Sequence, residues 1–140
     1  PKIPHLELYR GVTLVTPNQL EAETAAHARI RSDDDAREVA RRLKATLHCE
    51  SVVVTRGEHG MWVLDGSVDP AVETNLAATA LEVSDVTGAG DTVIATLAMG
   101  LASGATLPEA AHLATAAAGV AVSRFGAVAV TRDELLTRLT

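Results

Sequence analysis

The pattern of hydrophobic and polar positions predicts an α/β protein. Short runs of β-branched and aliphatic residues at 12–16, 51–55 and 61–64 are bounded by proline, glycine or charged residues, as is typical of buried strands. Between the first two runs, a helix beginning at Ser32 or Asp33 and ending near Leu47 is indicated by an apolar face at helical spacing. That face comprises Ala36, Val39, Ala40, Leu43 and Leu47. A strand, helices and a second strand favour a parallel βαβ unit, and the third run favours an antiparallel edge.

The second half of the chain is dominated by helices with small side chains. Segments 88–103 and 108–124 are rich in alanine and glycine, with Gly104 between them, and Pro108 suits the first turn of a helix. A terminal helix that ends near Leu139 is predicted by Thr131, with Glu134 three residues later as in a capping box. Small side chains permit close contacts between helices, so the predicted core is built from Ala, Val and Leu.

The remaining segments carry weaker signals. Residues 65–70 read as a polar turn, 77–84 as a last strand before the long helices, and 128–130 as a short strand. Residues 1–10 lack periodicity and are interpreted as a linker or a truncated strand. The whole chain is therefore expected to form one unit, with 140 residues leaving little room for two.

Composition and charge exclude several classes of function. A net charge of −6 and a pI near 5.3 argue against general nucleic-acid binding, which needs a basic face, although one local nucleotide site is compatible with them. The single cysteine, Cys49, permits no disulfide within the chain, and the scattered histidines lack the spacing of a zinc site. No apolar window approaches the ~20 residues of a membrane span, and residues 1–10 lack a signal-peptide pattern. We therefore expect a cytoplasmic protein without a membrane or nucleic-acid partner.

Polar residues follow the first predicted strand. Asn18 comes directly after Pro17 and is a good helix cap, and Glu21 lies three residues later, close to a capping-box arrangement. Because ligands collect at the carboxyl ends of strands in open α/β sheets, this pair fits either a ligand contact or a purely structural cap.

The turn from Asp85 to Asp91 carries the most specific chemistry. Gly88 and Gly90 let the backbone curl tightly and let an anion approach it closely. The first N–H groups of the following helix lack intrahelical partners and lie at the positive end of its dipole, which favours phosphate. Asp91 in the first turn is placed to accept a proton from a hydroxyl that attacks a phosphoryl group. An ordinary glycine turn with a favourable first-turn charge fits the same residues.

A glycine-bounded loop follows the second strand. Residues 55–60, with Gly57 and Gly60, could cradle a nucleotide or form a plain turn. The chain contains neither a GxxxxGK[ST] phosphate loop nor a GxSxG elbow, so a nucleotide would be held without a Walker lysine.

Taken together, these motifs resemble those of the C-terminal half of the ribokinase-like carbohydrate kinases, the PfkB family. The D-x-T-G-A-G-D signature stands at 85–91, the N-x-x-E motif at Asn18 and Glu21, and the nucleotide loop at 55–60. The resemblance covers nearly everything after Tyr9. It implies the nucleotide-binding portion of a three-layer α/β/α ribokinase-like fold, with ATP and Mg²⁺ as cofactors and a sugar or sugar phosphate as acceptor.

The resemblance also implies roles for individual residues. Asp91 matches the family's catalytic base, and the backbone of Gly88, Ala89 and Gly90 forms the anion hole around the transferred phosphoryl group. Thr55, Gly57 and Gly60 match the nucleotide loop, and Asn18 and Glu21 match residues linked to Mg²⁺ through water. In potassium-dependent relatives a monovalent cation is held by groups that match five positions here: Asp85, Thr87, Ala121, Arg124 and Gly126.

Within the family, the segments TPNQLEAE, VTRGEHGM and DVTGAGDTVIATLA are most similar to the heptose-phosphate kinase group, whose kinase domain is often fused to a nucleotidyltransferase. This similarity implies phosphorylation of heptose 7-phosphate to heptose 1,7-bisphosphate for ADP-heptose and lipopolysaccharide biosynthesis. Another sugar or nucleoside substrate, and a non-catalytic nucleotide-binding module of the same fold, remain alternatives.

Whole members of the family also have an N-terminal half that supplies most of the sugar contacts. These 140 residues are therefore expected to be an incomplete enzyme that binds ATP weakly and is inactive alone. Exposed sheet edges pair readily with other chains, so self-association into a homo-oligomer is expected.

Overall fold

The computed structural model describes residues 1–79 and 85–139 as a mixed α/β chain that divides into two compact units. The first unit comprises Pro1–Gly57 and Met61–Asn75, and the second comprises Glu58–Gly60 and Leu76–Thr140. Residue patterns along the chain predicted one unit and not this division.

A four-stranded sheet in the order β1-β2-β3-β4 organises the first unit. Its strands are β1 (Leu14–Val15), β2 (Ser51–Thr55), β3 (Met61–Asp65) and β4 (Val72–Leu76), the last of which reaches the unit boundary. β1 pairs with β2 in parallel and β2 with β3 in antiparallel fashion. The predicted parallel βαβ unit with an antiparallel edge is therefore confirmed. β1 is shorter than the expected 12–16 run.

Two helices connect the parallel strands. α1 (Gln19–Ala26) begins at the Asn18 cap, and α2 (Asp33–Leu47) begins at Ser32, whose side chain accepts the Asp35 N–H. The buried residues of α2 are the five that the apolar periodicity predicted: Ala36, Val39, Ala40, Leu43 and Leu47. These side chains pack with Val52, Val54, Trp62 and Leu64 of β2 and β3, so the core lies between α2 and the sheet. Burial of apolar surface provides the main stabilisation of such a core.

Three helices form most of the second unit: α3 (Ala89–Ala102), α4 (Leu107–Val122) and α5 (Arg132–Leu139). α3 and α4 pack closely, since a Cβ added at Gly100 would lie 2.8 Å from the Ala110 Cβ. The predicted capping box of Thr131 and Glu134 is present at the start of α5. Each predicted helix of this half is confirmed to within two residues at its ends.

Three local predictions differ from the structure. Residues 1–10 contain a 3-10 helix, Ile3–Tyr9, instead of a linker or truncated strand, because Leu6 and Tyr9 find apolar partners in the core. β4 was not predicted, since its burial is low and its sequence lacks clear alternation. Residues 128–130 follow α4 without strand pairing.

The predicted strand at 77–84 is only partly covered by the described residues. Residues 77–79 are not strand, and 80–84 lie outside the described part of the chain. No helix within the described ranges is long and apolar enough to cross a membrane.

Candidate functional site

The start of α3 is built by a glycine in a conformation that other residues rarely adopt. Gly88 is the N-cap, with φ +80°, and its carbonyl accepts the Thr92 N–H at 2.9 Å and the Thr92 hydroxyl at 3.0 Å. The Ala89 N–H donates to the Val86 carbonyl at 3.2 Å. The turn is therefore stabilised by a backbone hydrogen bond between Ala89 and Val86, and the helix begins directly after Gly88.

Asp85 fixes this turn to the loop that follows α4. Its Oδ1 accepts the Thr87 N–H at 2.9 Å and the Thr87 hydroxyl at 2.7 Å, and its Oδ2 accepts the Gly126 N–H at 3.0 Å. The pKa of Asp85 is lowered, first by the Thr87 N–H and then by the Thr87 hydroxyl and the Gly126 N–H. A charged Asp85 thus joins segments that are 41 residues apart in the sequence.

The first turn of α3 presents open space beside an exposed carboxylate. A Cβ built on Gly90 would meet nothing within 4 Å, and Asp91 is exposed. In the part of the chain that the structure describes, the Gly90 and Asp91 N–H groups have no acceptor, as expected at a helix start. The Ala89 N–H, predicted to belong to the anion hole, is instead used within the turn. Of the predicted donors, the Gly90 N–H therefore remains available at the start of α3, and the adjacent Asp91 N–H is a second available group.

The predicted cation ligands form two groups, each joined by its own hydrogen bonds. Hydrogen bonds join Asp85, Thr87 and Gly126, and the Arg124 N–H donates to the Ala121 carbonyl at 3.3 Å. The Arg124 guanidinium pairs with Glu134. The pKa of Glu134 is lowered to about 2, mainly by the hydrogen bond from the Thr131 N–H and next by the contact with Arg124.

In the first unit, Asn18 and Glu21 form the capping box that the sequence predicted. Asn18 Oδ1 accepts the Glu21 N–H and Glu21 Oε2 accepts the Asn18 N–H, both at 2.9 Å. Asn18 also forms a parallel bridge with Thr55, whose N–H donates to the Pro17 carbonyl at 3.0 Å. The structure thus brings Asn18, Glu21 and Thr55 together at the carboxyl ends of β1 and β2.

The two glycines of the 55–60 loop have different surroundings. Gly57, with φ +57°, faces open space, because a Cβ built there meets nothing within 4 Å. Gly60, with φ +78°, lies against the backbone of the second unit, where a Cβ would be 1.9 Å from the Leu76 carbonyl oxygen. Gly60 therefore has a packing reason for being glycine, in addition to its predicted role as a nucleotide contact.

Two polar contacts of one residue in this loop were not anticipated from the sequence. Arg56 is only 6% exposed, and its Nη2 lies 2.7 Å from Asp33 Oδ1 and 2.8 Å from Asn75 Oδ1. The only sequence signal was a charged residue at the end of a β-branched run. The predicted site residues otherwise divide between the units, with Asn18, Glu21, Thr55 and Gly57 in the first and the remainder in the second.

Comparison with known sequences identifies relatives over nearly the whole chain. The sequence profile of the pfkB family carbohydrate kinases matches residues 2–134. The chain is 47% identical over 141 aligned residues to the bifunctional protein HldE of Paramagnetospirillum magneticum, covering 99% of this chain, and 48% identical over 138 residues to that of Pseudomonas aeruginosa, covering 96%. It spans 28% of the length of each of these relatives.

Solved structures show the same fold. Phosphofructokinase-2 from Escherichia coli, in complex with potassium, superposes with a TM-score of 0.82 at 23% identity, covering 96% of this chain and 42% of that one. Ribokinase from Arabidopsis thaliana, complexed with ribose and ATP, superposes with a TM-score of 0.84 at 24% identity, covering 96% and 43%. The predicted ribokinase-like α/β fold is therefore confirmed.

Proposed function

This chain belongs to the pfkB family of carbohydrate kinases, and we propose that it forms the nucleotide half of an ATP-dependent phosphotransferase acting on a sugar hydroxyl. The proposed acceptor is heptose 7-phosphate, which becomes heptose 1,7-bisphosphate for ADP-heptose and lipopolysaccharide biosynthesis. The motif similarity to heptose-phosphate kinases and the 41–48% identity to HldE proteins support this choice. The identity of the sugar acceptor is part of this proposal, as is the supply of the remaining sugar contacts by other parts of a full-length protein.

The start of α3 is the observation that carries the proposal. An exposed carboxylate, two N–H groups without an acceptor among the described residues and a glycine facing open space lie within one helical turn. Backbone donors at a helix start stabilise phosphoryl oxygens, and a carboxylate beside them can take a proton from the attacking hydroxyl.

We propose the following reaction at this helix start. The Asp91 carboxylate accepts the proton of the sugar hydroxyl as the hydroxyl oxygen forms a bond to the γ-phosphorus of ATP. The bond from that phosphorus to the β–γ bridging oxygen breaks, and ADP leaves. The N–H groups of Gly90 and Asp91 donate to the equatorial oxygens, on which charge accumulates in the transition state. The Asp85 carboxylate keeps the turn in place by its contacts to Thr87 and Gly126.

The capping box fits a supporting role for Mg²⁺. Glu21 uses Oε2 for the Asn18 N–H and has its second carboxylate oxygen outside the box, where it can bind a metal-coordinated water. Among the described residues, no three His, Cys, Asp or Glu side chains cluster as a metal cage. Mg²⁺ characteristically keeps several waters and binds substrate phosphates, so one carboxylate is sufficient. When bound, it would neutralise charge on the phosphates.

The groups around Asp85 also fit a monovalent cation. The proposed ligands are the charged Asp85 carboxylate and the backbone carbonyls near Thr87, Ala121, Arg124 and Gly126, which are hard oxygen ligands of the kind such a cation requires. The Asp85 oxygens each accept hydrogen bonds already, so a cation would share the carboxylate with Thr87 and Gly126. We propose that K⁺ would stiffen the turn rather than contact the reacting atoms.

Replacing Asp91 by Asn in the intact protein tests the proposal. With ATP and heptose 7-phosphate, ADP formation should fall by about 10²–10⁴-fold, the contribution of a general base, while the affinity for ATP stays nearly unchanged. Asp34→Asn is a matched control, because Asp34 is also an exposed aspartate in the first turn of a helix.

The outcomes separate the alternatives. Unchanged turnover in Asp91→Asn would eliminate Asp91 as the base. ATP binding without transfer to any sugar by the unaltered protein would favour a non-catalytic nucleotide module. Transfer to fructose 6-phosphate, ribose or a nucleoside in preference to heptose 7-phosphate would keep the chemistry and replace the acceptor.

A further inference from the structure

Arg56 is a charged side chain inside the first unit, at the point where β2 ends. Its side chain is 4% exposed. Its guanidinium donates to Asp33 at the start of α2 and to Asn75 in β4, at 2.7 and 2.8 Å. Burying a charge is costly unless it is paired and hydrogen-bonded, and an apolar side chain would fill the space at lower cost. Stabilisation of the fold is therefore not a sufficient explanation for a buried arginine at this position.

The contacts of Arg56 restrain the backbone between two predicted nucleotide contacts. On one side, the Thr55 N–H is hydrogen-bonded to the Pro17 carbonyl. On the other side, Gly57 turns into the left-handed region and faces open space. Between them, the planar guanidinium fixes direction as well as distance, since its donors have a rigid geometry. The chain thus leaves β2 in a position that is set jointly by the segment after β1, by α2 and by β4.

We propose that Arg56 is a positioning residue for the nucleotide: by joining Asp33 and Asn75, it holds the segment 55–57 in the conformation that receives ATP. This inference rests on the proposed kinase function, because the loop is assigned to the nucleotide there. Without the guanidinium, the segment samples other conformations, and binding must select the competent one, which lowers apparent affinity.

The test uses Arg56→Met and Arg56→Lys in the intact protein. Methionine keeps much of the apolar stem and removes the hydrogen bonds, so KM for ATP should rise about tenfold, equivalent to losing one charge-assisted contact. The KM for the sugar and the kcat at saturating ATP should stay within about twofold of the unaltered protein. Lysine keeps the charge and can reach one partner at a time, so it should restore part of the affinity.

Arg41→Met is the matched control. Arg41 joins α2 to β4 through a 2.7 Å contact with Glu73, as Arg56 joins the same elements, but it does not adjoin the loop. Its removal should leave KM for ATP unchanged. Amide hydrogen exchange at Gly57 should accelerate in Arg56→Met and stay at the original rate in Arg41→Met.

Asn75→Ala provides a second variant that leaves Arg56 in place. It removes one acceptor from an exposed position, so it should fold even if Arg56→Met does not, and KM for ATP should rise by about two- to threefold.

Two results would overturn the inference. Faster exchange at Gly57 with unchanged KM for ATP would make Arg56 a purely structural residue. An equal loss of kcat and of affinity for both substrates would indicate general damage. If the unaltered protein phosphorylates no sugar, the kinase proposal fails, and titration of the same variants with a fluorescent ATP analogue still decides whether Arg56 positions the nucleotide.

Discussion

Gly90→Ala separates the stability of α3 from its proposed function. Gly90 is the second residue of the helix, has no positive φ, and faces open space, because a Cβ there meets no atom within 4 Å. The substitution adds one methyl group at the place where we propose that the phosphoryl group of ATP approaches the backbone. It leaves the N–H groups of the turn and the Asp91 carboxylate in place.

Opposite effects on stability and activity are expected. Alanine is favoured over glycine in a helix by about 0.5–1 kcal/mol, so the thermal midpoint should rise by about 2–4 °C. If the methyl group displaces the phosphoryl group by about 1 Å, the rate should fall by about 10²-fold. That loss corresponds to about 2.7 kcal/mol of transition-state stabilisation.

The assay combines circular-dichroism melting with kcat/KM for ATP in the intact protein. Gly88→Ala is the contrasting control: its φ of +80° places alanine in the left-handed region at a cost of about 1–2 kcal/mol, so stability and activity should fall together. Wild-type kcat/KM in Gly90→Ala would refute the placement of the phosphoryl group. A lower thermal midpoint would refute the open space beside Gly90.

Two further predictions concern the fold. Gly60→Ala should reduce the chemical-denaturation midpoint more than Gly57→Ala, because its Cβ would lie 1.9 Å from the Leu76 carbonyl oxygen and Gly57 has no such neighbour; equal midpoints would contradict this. The Thr106 hydroxyl and N–H donate hydrogen bonds to the Glu109 carboxylate and hold its pKa below the ordinary 4.5. The charged carboxylate therefore contributes its full stabilisation above about pH 4.5, and this stabilisation is lost as the pH falls through the lowered pKa. The thermal midpoint of the native chain should exceed that of Glu109→Gln at pH 7, and the difference should become smaller as the pH falls below about 4.5; a constant difference would contradict the assignment.

Local patterns predicted the helices and three of the strands. The apolar face of α2 was readable because each of its five buried residues lies on one stripe of a 3.6-residue period. The caps at Asn18 and Thr131 were readable because a capping box joins residues only three apart. Such signals depend on neighbours along the chain, so they are present before the chain folds.

The missed elements lack that kind of signal. β4 has no fully buried residue and is held by its neighbour β3 in the sheet, so its own residues carry little hydrophobic pattern. The 3-10 helix Ile3–Tyr9 is stabilised by packing of Leu6 and Tyr9 on a core formed by later residues. In both cases tertiary contacts outweigh a weak local preference.

The candidate site also combines features that local sequence predicted with features that depend on tertiary contacts. The sequence alone determined where the turn from Asp85 to Asp91 begins α3 and suggested the chemistry that we propose for it, since the glycines, the helix start and the carboxylates lie within seven consecutive residues. Only the tertiary structure decided that Asp85 holds the Gly126 loop, that Gly60 lies against the Leu76 backbone, and that Arg56 joins Asp33 and Asn75. These contacts join residues 16 to 41 positions apart, so their geometry depends on how helices and strands pack and cannot be read from residue order.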